Sequence, residues 1–539
     1  MVAPCPAWMR LLLRFCGYLI GAFLFVVSFW VHEEYGRVTI DQVLYHMGFG
    51  TDALLASDPE LGLRLAQQVL WPAFKYAMLL SLCDVLVTAA GRLRSAPEPA
   101  AGDSRPRTAR GIARLAGLPL RAVLVVYRHR PHLLLPLAGL FYFGHSFALV
   151  DYLRTYYGPD LFSQEYVDPA QVTIGGNRPT NLVVIYVESL ENTYADPARF
   201  GRDLLARLNA LKPQGISFGA YQEVLGAHFT IAGIVSTQCG IPLRSLAMFR
   251  GNEQGERIGR YLPRASCLGD ILHDHGYTNV FLNGSSLQFA GVGKFFHDHH
   301  YDKVMGREEW LAQGADEAGM SGWGLHDDDL FARAREELER LKSTGRPFNL
   351  NVLTIDTHHP RGHLSRHCAE RGASDFEGIV ECTSELVAGF VEFIIARGWL
   401  ADTAVLIQGD HLAMGNSVYR TLTSEPKRTV FNLILGGGRP LAKNTDAVTH
   451  FDMLPTMLEL AGMRVIGERA GLGYSAIGDA AVPRPPDRLA RIGELTRHVS
   501  PGYRRLWEPA VTESPAMQAD APGGEVGSPY EFDFSPAPG

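Results

Sequence analysis

Residues 181–188 read NLVVIYVE. A run this short, apolar and β-branched, with no alternation of polar and apolar positions, fits a strand buried on both faces of a sheet. Four more stretches read alike: 279–282 (NVFL), 348–355 (FNLNVLTI), 404–407 (AVLI) and 430–435 (VFNLIL). Between and after them, 327–341, 383–395 and 452–460 place apolar residues at helical spacing. Alternating strands and helices predict an α/β fold with a mostly parallel central sheet flanked by helices. In such folds ligands collect beyond the carboxyl ends of the strands.

Those strand ends carry chemistry. NLVVIYV runs into Glu188, FNLNVLTI into Asp356, Thr357, His358, His359 and Pro360, and AVLI into Gln408, Gly409, Asp410 and His411. Carboxylate and imidazole ligands delivered to one sheet edge suit a divalent metal. A lone Glu after a strand is usually a surface residue, and a lone Asp-His pair is usually a turn. Only their combination at the ends of separate apolar strands points to a site. The stretch 226–233 (GAHFTIAG) opens the helical-looking IAGIVSTQ and puts Thr230 at a helix N-terminus. Threonine caps helices well. The same place also favours an anion, and a hydroxyl touching a metal can attack phosphorus.

The 539 residues carry a formal net charge of -7, with no basic excess that would suggest nucleic acid. The run 15–31 (FCGYLIGAFLFVVSFWV) is uncharged and apolar, and a bilayer core needs ~17–25 such residues. SFWVHEEYG continues it without the small residues of a cleavage site, so an uncleaved anchor is expected. Further apolar runs cover 65–90, which contains Lys75 and Asp84, and 133–150. Nine arginines lie between these two runs against Glu98 and Asp103 alone. Positive charge stays cytoplasmic, which places everything after about residue 151 outside. The expected organisation is therefore a membrane region at 1–151 with spans 15–31, 65–90 and 133–150, a linker at 152–178, an outer domain at 179–510 and a disordered tail at 511–539. Residues 40–47 (IDQVLYHM) read as a helix lying on the membrane surface or as a plain loop. Cys239, Cys267, Cys368 and Cys382 allow two disulfides in three pairings, or buried free thiols.

The stretches NLVVIYVESLENTY, FTIAGIVSTQCGIPL, LTIDTHHPRGHLSRHC, LIQGDHLAMGN and FDMLPTMLELAG resemble the sulfatase-type branch of the alkaline-phosphatase superfamily. Within it they are similar to the membrane-anchored lipoteichoic acid synthases and periplasmic-glucan phosphoglycerol transferases. The resemblance implies a multi-pass enzyme of the bacterial inner membrane with a periplasmic catalytic domain. It implies transfer of phosphoglycerol from phosphatidylglycerol to a glucan or similar glycan through a phosphothreonine. It also implies one divalent ion, manganese expected first with magnesium or zinc also suited, held by Glu188, Thr230, Asp410 and His411. Thr230 would be the nucleophile. His358 would contact the phosphate or assist proton transfer, with His359 the alternative substrate contact and further contacts within 285–294. Sulfate-ester hydrolases use a C-x-P-x-R motif. Here the run from Cys239 to Arg244 places Pro242 one residue late, so a sulfate hydrolase is not expected and Cys239 is structural or disulfide-bonded. Phosphoethanolamine transfer, hydrolysis with water as acceptor and a non-catalytic membrane sensor are the alternatives. The acceptor, the donor head group and the oligomeric state are left open.

Overall fold

A computed structural model describes residues 6–48, 60–94, 131–171, 174–176, 179–246, 259–438, 440–477 and 484–508. Most of the arginine-rich segment (95–130) and the tail from 511 lie outside the described residues.

The N-terminal helices among the described residues include α1 (Ala7–Tyr35), α2 (Ile40–Gly48), α3 (Trp71–Arg94) and α4 (Pro131–Ser146). Among the described residues two helices are long and apolar enough to cross a membrane, Trp8–Tyr35 and Leu61–Leu86. The second runs through a π-helical turn at Ala66–Leu70 into α3. Its three charges all have neighbours, Arg64 pairing with Glu34 of α1 at 3.3 Å. Asp84 accepts a 2.9 Å bond from Arg14 of α1, and Lys75 stands 5.7 Å from the Trp71 ring. This is the pairing that charge in an apolar span requires. Helices α1 and α4 touch backbone to backbone. A Cβ on Gly17 would lie 2.4 Å from the His132 carbonyl oxygen, and one on Gly21 would lie 2.6 Å from the Leu135 carbonyl carbon. Small residues four apart permit such an approach. The third apolar run is not one helix. It breaks after Ser146 at a left-handed Ala148 and resumes as Leu149–Arg154. The break frees the Phe147 carbonyl to accept from Ile40 N at 2.9 Å, which fixes the start of α2.

The domain that follows is built on a six-stranded sheet: β1 (Asn181–Val187), β2 (Thr278–Asn283), β3 (Lys303–Met305), β4 (Phe348–Leu353), β5 (Thr403–Gly409) and β6 (Asn432–Gly436). Their order is β3-β2-β4-β1-β5-β6. Every neighbouring pair is parallel except β5–β6, so the fold is α/β with a mostly parallel sheet. Successive side chains of a strand face opposite sides, and β1 shows the consequence. Leu182, Val184 and Tyr186 pack on one core with α5 (Thr230–Cys239) and α8 (Met453–Leu460). Val183, Ile185 and Val187 pack on the other with α6 (Asp327–Ser343) and α7 (Phe376–Ala396). Both faces are covered, which is why NLVVIYV does not alternate. The asparagines of β4 are buried yet satisfied. Gln238 of α5 donates to Asn351 at 3.0 Å, and Asn351 donates to Asn349 at 2.7 Å. Helix α7 begins two turns before the periodic segment 383–395 because Asp375 caps it, accepting from Gly378 N. The disulfides pair Cys239 with Cys267 and Cys368 with Cys382.

Candidate active site

Strand β1 ends at Val187, and the chain turns through Ser189 at a φ of 57°, a left-handed conformation that is uncommon for a residue with a Cβ. The turn places Glu188 beyond the sheet edge and aims the Ser189 N–H at Asp410 Oδ1, 2.8 Å away. The Ser189 hydroxyl donates to Glu188 Oε1 at 2.6 Å. Asp410 and His411 follow β5, the neighbour of β1. Helix α5 starts at Thr230, and its capping position is Phe229. The Thr230 hydroxyl does not cap the helix. It donates to Glu188 Oε2 at 3.2 Å and lies 3.4 Å from His411 Nε2. Two adjacent strand ends and one helix start thus bring together Glu188, Thr230, Asp410 and His411.

The ligand atoms of Glu188, Asp410 and His411 lie within 4.8 Å of one another, on residues that are 2%, 0% and 1% exposed. Burial and the Glu188 charge push the Asp410 carboxyl up to about 8. Burial also works to raise Glu188, but positive charge on His411 and His358 brings it below its usual range. Burial opposes a charge on His411, yet Asp410, Glu188 and Glu223 together raise it to about 9. Buried like charges at this spacing need a cation or protons between them. Asp410 Oδ2 is buried with no hydrogen-bond partner among the described residues. His411 Nδ1 donates to the Leu412 carbonyl at 2.8 Å, which turns Nε2 toward the carboxylates, the orientation typical of a metal-ligating imidazole. The donor set and the unpartnered oxygen fit one divalent cation.

Above this centre lies a cavity of about 310 Å³. Thr230, His411, His358 and His359 line it, and its far walls come from the end of α1 and from α2. His358 packs at a tilt against Trp323, ring centroids 3.9 Å apart, and its Nδ1 donates to the His359 carbonyl at 2.8 Å. His359 packs edge-on to Tyr35 of α1 at 5.2 Å, and burial holds its pKa well below the usual histidine value. Within 285–294, Phe289, Ala290 and Val292 line the cavity. Lys294 turns away, toward the Gly259 carbonyl and Asp298.

The sulfatase family pattern matches residues 180–463, more than half of the chain, and it covers the whole of this constellation. The chain belongs to the sulfatase family. Among its relatives, phosphoglycerol transferase I of Escherichia coli O139:H28 is 37% identical over 360 residues, 65% of this chain and 45% of that protein. The Shigella flexneri phosphoglycerol transferase I is 36% identical over 359 residues, again 65% and 45%. The chain spans about half the length of the curated relatives it matches. Among solved structures, the integral membrane lipooligosaccharide phosphoethanolamine transferase of Neisseria meningitidis aligns with 89% of each chain at a TM-score of 0.47 and 14% identity.

In this member of the sulfatase family Cys239 is bonded to Cys267, so it offers no thiol to the site. The nearby His299 therefore faces a disulfide rather than two thiolates. Arg244 of the same segment is buried and binds Asp41 of α2 at 2.9 Å. That contact also settles the surroundings of 40–47. The segment is a helix, and its polar Asp41 meets a buried partner in the sulfatase-family domain. Three contributors were not singled out from sequence. Trp323 and His46 come from segments without a strand-end signal. Glu223 accepts the Leu412 N–H at 2.7 Å, and burial raises it to about 7.

Proposed function

We propose that this chain is a membrane-anchored transferase that moves phosphoglycerol from phosphatidylglycerol to a hydroxyl of a periplasmic glucan or similar glycan through a phosphothreonine on Thr230. The observation that carries the reading is the place of Thr230. Its hydroxyl meets Glu188 and His411 in an apolar cavity that Trp30 and Leu65 of the apolar N-terminal helices also line. A lipid held in its own leaflet can present its phosphate there.

Glu188, Asp410 and His411, with Thr230, would hold one divalent ion, manganese first. Such an ion supplies Lewis-acid charge to the hydroxyl and the phosphoryl oxygens. In the first half-reaction the Thr230 Oγ1–P bond forms and the P–O bond to diacylglycerol breaks. The Thr230 proton leaves along its hydrogen bond to Glu188, and the departing diacylglycerol oxygen takes a proton from His358. In the second half-reaction the acceptor oxygen bonds to phosphorus and gives its proton to His358, the Thr230 Oγ1–P bond breaks, and Thr230 takes back the proton held by Glu188. His359 would hold the head group from the α1 side. Two half-reactions through one covalent enzyme predict ping-pong kinetics.

The test is release of diacylglycerol from fluorescent phosphatidylglycerol by the purified full-length protein with manganese, beside Thr230→Ala. Wild type should turn over, and the alanine variant should lose at least about a thousandfold, the scale of losing a covalent nucleophile. An active alanine variant would reduce Thr230 to a structural residue. Turnover of phosphatidylethanolamine instead would keep the chemistry and change the donor. Glycerol phosphate accumulating without an acceptor would make the enzyme a phosphodiesterase.

A further inference from the structure

Helix α2 lies far upstream of the catalytic domain in sequence, yet it walls the cavity above Thr230 through Gln42, Val43, His46 and Met47. It is held there firmly. Asp41 binds the buried Arg244 guanidinium at 2.9 Å and accepts from Ser245 N at 3.1 Å. The Tyr45 hydroxyl donates to the Ala290 carbonyl at 3.0 Å and lies 2.6 Å from the Tyr261 hydroxyl. The next side chain, His46, sits against Phe229 and Phe289, ring centroids 5.1 and 5.8 Å away. Phe229 immediately precedes Thr230.

The hydrogen bonding of His46 fixes what it can recognise. Its Nδ1 lies 2.9 Å from the Gln42 carbonyl oxygen. A carbonyl only accepts, so Nδ1 carries the hydrogen and Nε2 of the neutral ring carries a lone pair. Burial favours that neutral ring by lowering its pKa. No protein group bonds Nε2 among the described residues. An acceptor in an apolar wall repels a phosphate and has nothing to offer an acyl chain. In a diacylated glycerophospholipid with a glycerol head group, every hydroxyl belongs to that head group.

We infer that His46 Nε2 accepts a hydrogen bond from a hydroxyl of the donor lipid's head group, making α2 of the membrane region a specificity element of the active site. The inference rests on the transferase reading above and adds to it a residue that selects the donor.

The experiment compares two lipids in mixed micelles with the full-length protein: phosphatidylglycerol and phosphatidylpropanol, whose head group has the same three carbons and no hydroxyl. The readout is the ratio of kcat/KM for diacylglycerol release. Wild type should favour phosphatidylglycerol by about tenfold or more, the scale of one hydrogen bond to a buried acceptor. His46→Phe should bring the ratio to about one by losing phosphatidylglycerol turnover, with phosphatidylpropanol turnover changed by less than about twofold. His46→Gln, whose side-chain oxygen accepts, should restore part of the preference. A merely structural His46 would lower both lipids together and leave the ratio alone, and that result overturns the inference while the transferase reading stands. Wild type inert toward both lipids overturns the transferase reading and the inference with it. Should the phenylalanine variant fail to fold, His46→Met decides by the same ratio.

Discussion

Asp410 combines burial, a like-charged neighbour and an oxygen without a hydrogen-bond partner. An amide cannot supply the missing negative charge, so Asp410→Asn should reduce bound metal from about one ion per chain to a trace, as elemental analysis after desalting would record. Stoichiometric metal in that variant would remove Asp410 from the ligand set. Behind the loop that carries His358, His326 donates from Nδ1 to Asp356 Oδ1 at 2.7 Å. Burial works against its charge, but Asp356, with Asp327 and Asp328 near, raises its pKa above 6.5. A raised value means that protonated His326 stabilises the fold. That contribution is complete below about 6.5 and fades as pH climbs through the raised value. The melting-temperature gap between wild type and His326→Gln should therefore be widest near about pH 6 and narrow toward about pH 9. A gap that widens with pH would contradict the assignment. At this scale the candidate ligands were legible because strand ends advertise them, whereas Trp323, which packs against His358, sits in a loop with no pattern to single it out.

Among the elements, α2 depends most on one contact. Arg244 and Asp41 are both nearly inaccessible to solvent, and Arg244 also donates to the Thr496 carbonyl. Removing one partner strands the other as a buried charge, at a cost of roughly 3–5 kcal/mol. Asp41→Ala should therefore undock α2. Limited proteolysis should cut near residues 36–48 faster than in wild type, and KM for the lipid should rise with metal content unchanged. Unaltered cleavage would mean that Tyr45 and the apolar contacts suffice to hold the helix. From sequence, the apolar spacing of 40–47 was enough to suggest a helix. The surface it covers was not readable there, because its decisive partner, Arg244, is distant in the chain and lies in a segment read for another motif.

Across the whole molecule, the apolar N-terminal helices and the sulfatase-family domain line one cavity, and the proposed topology follows from the arginine excess between the second and third apolar runs. With that topology, protease added to intact spheroplasts should digest the domain after residue 151 and leave the segment from Arg92 to residue 130 protected. Cleavage of that segment from outside would invert the orientation. In the proposed reaction the shared cavity would tie the lipid donor to the apolar N-terminal helices.

The residue order alone determined the α/β fold and four members of the candidate metal and nucleophile set. Unbroken apolar strands announce a doubly covered sheet, and chain direction places the residue after each parallel strand on the same edge. Tertiary structure decided the rest. It paired the cysteines, showed the Thr230 hydroxyl bonded to Glu188 rather than to its helix, gave the membrane charges their partners and carried α2 into the active site. Those outcomes depend on which groups come within bonding distance after the chain closes on itself, and neither local spacing nor composition encodes that distance.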